Sequence, residues 1–141
     1  MEELVDILVT TYNTNEKYLR RQIESILKQT HHNIKIYISD DNSPDENVAK
    51  ILNEYEQKDN RIKLFLQPQN LGYNKNFEFL LKQSTADYIM FADHDDIWHL
   101  DKVEKSLKKI EILKSFLKLL ILMIWIVQYM LFTRISLSCR K

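Results

Sequence analysis

Asp93-His94-Asp95-Asp96 packs three carboxylates into four residues, directly after the apolar run Tyr88-Ile89-Met90-Phe91-Ala92. Carboxylates this close oppose one another's ionisation unless a cation or a set of donors neutralises them. A hard divalent ion such as Mg²⁺ or Mn²⁺ suits the cluster. It prefers one or two carboxylates, some water and the oxygens of a substrate phosphate over a cage built wholly of protein. The chemistry implied is therefore a reaction on a phosphorylated ligand. The cluster also falls where a buried strand should run out into solvent, and open α/β sheets bind their ligands at the carboxyl ends of strands.

The rest of the chain reads as the scaffold such a loop needs. Leu4 to Thr10 is a nearly continuous apolar run, as expected of a strand covered on both faces. Leu19, Ile23, Ile26 and Leu27 recur at helical spacing between Glu16 and Gln29, and Ile34, Ile36 and Ile38 then alternate as a second strand. Ser43-Pro44-Asp45-Glu46 predicts a helix start, with serine as cap, proline in the first turn and glutamate three residues on. Val48, Ile51, Leu52 and Tyr55 are its buried stripe. Ile62 to Leu66 reads as a third strand, and Gln67 to Gly72 as the loop leaving it. Gly72 is the chain's one glycine, which predicts a positive φ or a close backbone approach. A short helix with Phe77, Leu80 and Leu81 facing inward, the strand Tyr88 to Ala92, and a helix capped by Asp101 and Glu104 with Val103, Leu107 and Ile110 on its inner face complete the order βαβαβαβα. Strict alternation of this kind predicts an α/β fold with a largely parallel sheet.

Composition narrows the function classes. With 141 residues and 45% hydrophobic content the chain is one domain's worth and can bury a real core. Twenty basic residues balance twenty acidic ones, and the lysines form no stripe, so nothing points to nucleic acid. The single cysteine, Cys139, excludes an internal disulfide and fits a reducing compartment. Met1-Glu2-Glu3 lacks the basic start of a signal peptide, so a cytoplasmic location is expected, with peripheral contact at the inner face of the membrane through the tail as a variant.

Four segments in this order and spacing resemble the signatures of glycosyltransferase family 2, most closely its bacterial rhamnosyltransferase-type members: Val9-Thr10-Thr11-Tyr12-Asn13, Ser39-Asp40-Asp41-Asn42-Ser43, Asn70-Leu71-Gly72 with Lys75-Asn76-Phe77, and Ala92-Asp93-His94-Asp95-Asp96-Ile97-Trp98. The resemblance covers roughly residues 3–112. It implies a GT-A fold, a Rossmann-like sheet binding a nucleotide-diphospho-sugar donor, and transfer of the sugar to a cell-surface polysaccharide, another glycan or a lipid-linked acceptor. Residue by residue, it puts Thr10 and Tyr12 against the nucleotide, with the tyrosine lying on the base. It makes Asp41 the acceptor of the base imide N–H. Asp93 and Asp95 match the Asp-x-Asp motif, Asp93 toward ribose and metal and Asp95 as a direct metal ligand, while Lys75 stands near the phosphates. His94 occupies a position the family leaves open and is not expected to ligate. In the inverting route a separate carboxylate must take the acceptor proton.

Plainer readings stand beside these. Asp40 to Pro44 has the composition of a simple strand-to-helix turn; Asp93 to Asp96 could be a solvated loop, Tyr12 core packing, Trp98 a packing anchor, and His31-His32 a helix end facing solvent. Two other function classes also remain open: a nucleotide-sugar-binding fragment without transfer, and a metal-dependent phosphohydrolase. The latter would need a second metal or a nucleophile beside the acidic cluster.

From Leu113 the chain departs from the family pattern. No Asp, Glu or His follows Glu111, so a general base is expected only from the first half or from another chain. Residues 1–112 are accordingly read as the donor-binding part and 113–141 as a hydrophobic tail. Three readings of the tail stay open: a membrane segment over 113–132, a packing element closing the sheet, or the product of truncation or a shifted frame. Exposed, such a tail would also favour homo-oligomers.

Overall fold

The computed structural model describes residues 2–93 and 96–138, with side chains described up to Val127. The chain forms two units, Met1–Lys102 and Val103–Lys141.

In the first unit, β1 (Val5–Thr11), α1 (Glu16–Leu27), β2 (Ile34–Asp40), α2 (Glu46–Lys58), β3 (Ile62–Leu66), α3 (Tyr73–Gln83) and β4 (Tyr88–Ala92) follow in strict alternation. The four strands form one parallel sheet in the order β3-β2-β1-β4. Its centre is the apolar run of β1, in which every residue is buried, as a strand covered on both faces requires. Val5, Ile7, Leu8 and Val9 of β1, Ile36 and Ile38 of β2, Leu19, Ile23 and Ile26 of α1, Leu52 of α2 and Leu80 of α3 are all buried, and Leu8 and Leu80 share one cluster with Tyr37 and Phe77.

The strand order decides where a ligand can sit. From β1 the chain steps to β2 and β3 on one side, then returns to add β4 on the other. The crevice outside the carboxyl ends of β1 and β4 is thus the switch point of the sheet. Register puts Val9 opposite Ala92, Thr10 opposite Ser39, and Thr11 opposite Asp40, so Asp93 leaves β4 at the level of Thr10.

Several expectations need correction. β4 is an edge strand, with Ile89 37% and Phe91 52% exposed, because among the described residues only β1 pairs with it. Leu81 faces solvent, and Asn76 takes a buried place on α3 instead. α2 is capped by Asp45, whose carboxylate accepts from Asn47 N–H, because Ser43 is engaged elsewhere. His31 is buried, with Nε2 2.7 Å from the Glu3 carbonyl oxygen.

The second unit is the body of one helix, α4 (Lys102–Ser138), continuous through the point where the sequence reading ends the regular fold. Neither proline nor glycine occurs after Gly72, so no residue type interrupts the helix. Residues 108–127 are exposed all round. Among the described residues no helix is long and apolar enough to cross a membrane.

Candidate functional site

Two strand-end loops and the start of α3 enclose a cleft of about 290 Å³ lined by Thr10, Thr11, Tyr12, Asp41, Asn70, Gly72, Tyr73 and Asn76. Two neighbouring aspartates divide the labour of building it. Asp40 turns inward, where its Oδ1 accepts from Thr11 Oγ1 at 2.9 Å and Ser43 Oγ at 2.6 Å and its Oδ2 from Ser43 N–H at 2.9 Å. Ser43 Oγ in turn accepts from Asn13 N–H, tying the loop after β1 to the loop after β2. Asn13 and Asn42 both hold positive φ in these loops, a conformation asparagine tolerates better than most side chains.

Asp41 points the other way. Its N–H donates to the Thr11 carbonyl, and its carboxylate spans the loop before α3, accepting from Leu71 N–H at 2.7 Å through Oδ1 and from Gly72 N–H at 2.9 Å through Oδ2. Gly72 adopts φ 81° and ψ 154°, a region essentially confined to glycine, at the N-terminal boundary of α3. A side chain there would meet open space, so the backbone angle, not crowding, accounts for the glycine.

Asn76 was not singled out in the sequence as a site residue. It is fully buried, and Ser39 Oγ donates to its Oδ1 at 2.5 Å while Gln67 Nε2 donates to Ser39 Oγ. A polar residue at an inward helical position was the available signal.

The structure brings Thr10, Tyr12 and Asp41 to one cleft. Tyr12 is 51% exposed on the cleft wall, which removes core packing as its role. Asp93 is exposed at the end of β4 and touches the cleft through Tyr73. Desolvation, together with a hydrogen bond to the Asp93 carboxylate and its charge, pushes the Tyr73 phenol above its ordinary value. Lys75 does not line the cleft. It lies exposed on the first turn of α3 and adds to the effect of Lys82, whose hydrogen bond chiefly holds the Glu78 carboxyl below its usual range. His94 and Asp95 lie outside the described residues.

Among the described residues no three His, Cys, Asp or Glu side chains converge as a metal cage. What is present is an oxygen-only donor set at the switch point, the exposed Asp93 carboxylate beside the Tyr73 hydroxyl. That set fits a hard cation that takes most of its ligands from water and a bound diphosphate.

Residues 6–115 match the family model for glycosyl transferase family 2. The chain belongs to that family. Its relatives include the dTDP-rhamnosyl transferase RfbG of Shigella flexneri, 38% identical over 70% of this chain and 35% of the relative. TarS 1-349 of S. aureus in complex with UDP is 26% identical over 76% of this chain and 32% of that one, with a TM-score of 0.66. A mannosyltransferase from Pyrobaculum calidifontis in complex with GDP-Man and Mn²⁺, 17% identical over 67% of this chain and 28% of that one with a TM-score of 0.61, shares the fold alone. These structural neighbours establish the GT-A fold that the resemblance implies. The chain spans well under half the length of the curated relatives it matches, 41% and 37% in two of them.

Proposed function

We propose that the cleft binds the nucleoside diphosphate of a sugar donor, for transfer of the sugar to a surface polysaccharide or other glycan, lipid-linked acceptors included. The observation that carries this reading is the convergence of Thr10, Tyr12 and Asp41 in one cleft at the switch point, with Asp93 leaving the neighbouring strand at the same level. Tyr12 offers the base an exposed ring, and Asp41 offers it a carboxylate acceptor already held rigid by two loop amides. Holding the acceptor in place before the ligand arrives lowers the ordering cost of binding. The base is a pyrimidine in this reading, because the names of relatives at 38% and 26% identity specify dTDP and UDP.

Mg²⁺ or Mn²⁺ belongs with Asp93 and Asp95. Bound there, the ion would offset the negative charge gathering on the departing diphosphate oxygen. Tyr73 keeps its proton and can donate toward the same region, since its phenol is pushed up. In this proposal residues 1–112 form the donor-binding part. The tail, 113–141, is available for association with the inner membrane face through 113–132 or with another copy.

Titration calorimetry of the folded chain with UDP, dTDP and their sugars, with and without Mn²⁺, tests the reading. Binding that is strengthened by the metal, and weakened far more by Asp95→Asn than by His94→Ala, is the expected result. A folded sample that takes up none of these nucleotides refutes it.

A further inference from the structure

The inner face of α1 carries a row of polar residues that an apolar core does not call for. Gln22 and Ser25 sit on α1 and Gln29 just past its C-cap Lys28, and their relative exposures are 0%, 8% and 0%. All three spend hydrogen bonds on the chain leaving β4. Gln22 Nε2 donates to the Asp93 carbonyl, which also accepts from Asp96 N–H at 3.1 Å. Ser25 Oγ accepts from Trp98 N–H at 3.0 Å and donates to the Gln22 carbonyl at 2.7 Å. Gln29 Nε2 donates to the His99 carbonyl at 2.7 Å, and one residue further Thr30 N–H donates to the Leu100 carbonyl at 2.7 Å. The main chain is thereby fastened to α1 and to the residues just after it, at Asp93 and again at residues 98–100.

Gln22 is the informative member. Its Oε1 is buried without a partner, so half of the amide's capacity is unused and its one side-chain bond goes to Asp93. As packing alone, that is a poor choice, because an apolar side chain of the same length would leave nothing unsatisfied. As a fixture it makes sense. A main-chain carbonyl held by a buried side chain restrains the backbone from which the Asp93 carboxylate leaves the strand end.

We propose that Gln22, supported by Ser25 and Gln29, is a positioning residue for the metal-and-diphosphate end of the donor site. This rests on the proposed function for the identity of the ligand, while the fastening itself is independent of it. Groups that orient a metal's ligands without touching the metal typically change affinity about 10–100-fold when removed.

The test uses Gln22→Met, which keeps length and loses the amide, and Gln22→Asn, which keeps the amide and falls short of the carbonyl. Two readings are taken on each folded variant: peptide-resolved amide hydrogen exchange, and UDP affinity with Mn²⁺ and with EDTA. Exchange across residues 96–100 should speed up at least about tenfold in both variants while exchange in β1 and β2 stays as in the parent, and UDP affinity with Mn²⁺ should fall about tenfold with the EDTA value unchanged. Unchanged exchange in this segment overturns the fastening. Faster exchange with unchanged Mn²⁺-dependent affinity overturns the positioning role while leaving the donor reading intact. If the parent itself binds no nucleotide, the donor reading and the positioning role fall together. Equal losses with Mn²⁺ and EDTA assign Gln22 to the fold alone and also overturn the proposal.

Discussion

Replacing Asp41 by asparagine removes one atom's worth of acceptor and leaves the volume unchanged. In the native chain Oδ1 and Oδ2 each serve one amide, those of Leu71 and Gly72, at 2.7 and 2.9 Å, and the residue is only 4% exposed. An amide side chain can satisfy one of these donors through its oxygen, but its NH₂ then faces the other. A hydrogen bond to a charged group contributes about 1.5–3 kcal/mol, and a buried donor left without a partner costs about 1–3 kcal/mol, these being two descriptions of largely the same loss. A total near 2–3 kcal/mol follows, which lowers the thermal midpoint of a domain of this size by roughly 8–20 °C. Asp41→Ala should lose at least as much, because Leu71 N–H is then abandoned and Gly72 N–H keeps only its 3.1 Å bond to Asn70 Oδ1. Circular dichroism melts measure the stability term directly. Calorimetry at a temperature where both proteins are folded measures the second effect: a loss of UDP affinity of about 10–100-fold if the carboxylate accepts from the base. An Asp41→Asn protein melting within about 2 °C of the parent would refute the reasoning, because a loss of the size argued cannot hide in so small a shift.

Gly72→Ala should cost about 1–3 kcal/mol in urea unfolding, because φ 81° with ψ 154° is strained for any side chain although space for one is open. Asp93→Asn should lower the Tyr73 phenol toward its ordinary value of 10.0, seen by absorbance titration, and weaken Mn²⁺-dependent but not metal-free UDP binding. The Arg61 guanidinium, bonded to Asp59 through Nε at 3.0 Å and a terminal nitrogen at 2.8 Å, holds that carboxyl below its ordinary 3.8. The folded state therefore binds this proton less tightly than the unfolded one. The pair's contribution is present above about pH 3.8 and is lost as pH falls through the lower folded value, so Arg61→Gln should flatten the acid limb of stability against pH.

Periodicity carried the framework because it reports what burial demands of a whole element. The runs at Leu4 to Thr10 and Ile34 to Ile38 and the stripe Val48, Ile51, Leu52, Tyr55 all stand where the sequence puts them. It failed where polar groups are buried. Asp6, Gln22, Gln29 and Asn76 are fully buried, yet a count of apolar residues treats them as gaps in the stripe. Asp6 illustrates why: its Oδ2 collects Ser84 Oγ and the N–H groups of Thr85 and Ala86, partners about eighty residues away that no local pattern contains. Capping chemistry was legible in kind but not in register. Both Ser43 and Asp45 are good cap residues, and the choice fell to Asp45 only because Asp40 and Asn13 had claimed the Ser43 side chain. The exposure of β4 follows from its edge position, which depends on strand order and so on contacts the sequence does not spell out.

Polar side chains, some singled out in the sequence and some hidden in it, hold the strand-end loops in place. Parallel strands end with backbone donors and acceptors that no neighbouring strand satisfies, and a loop left to itself would give them to water. Here side chains take them: Asp41 serves the loop before α3, Asp40 with Ser43 joins the first two strand-end loops, and Gln22, Ser25 and Gln29 hold the chain after β4. Each such bond is worth only about 0.5–1.5 kcal/mol when neutral, too little to explain the fold. Their joint effect is geometric. Loops leaving all four strands are tied down by side chains, and in the proposed donor reading the exposed faces of Tyr12 and Asp93 meet the ligand with little further ordering. Loss of a single link should therefore change how tightly the cleft binds well before it changes whether the sheet forms.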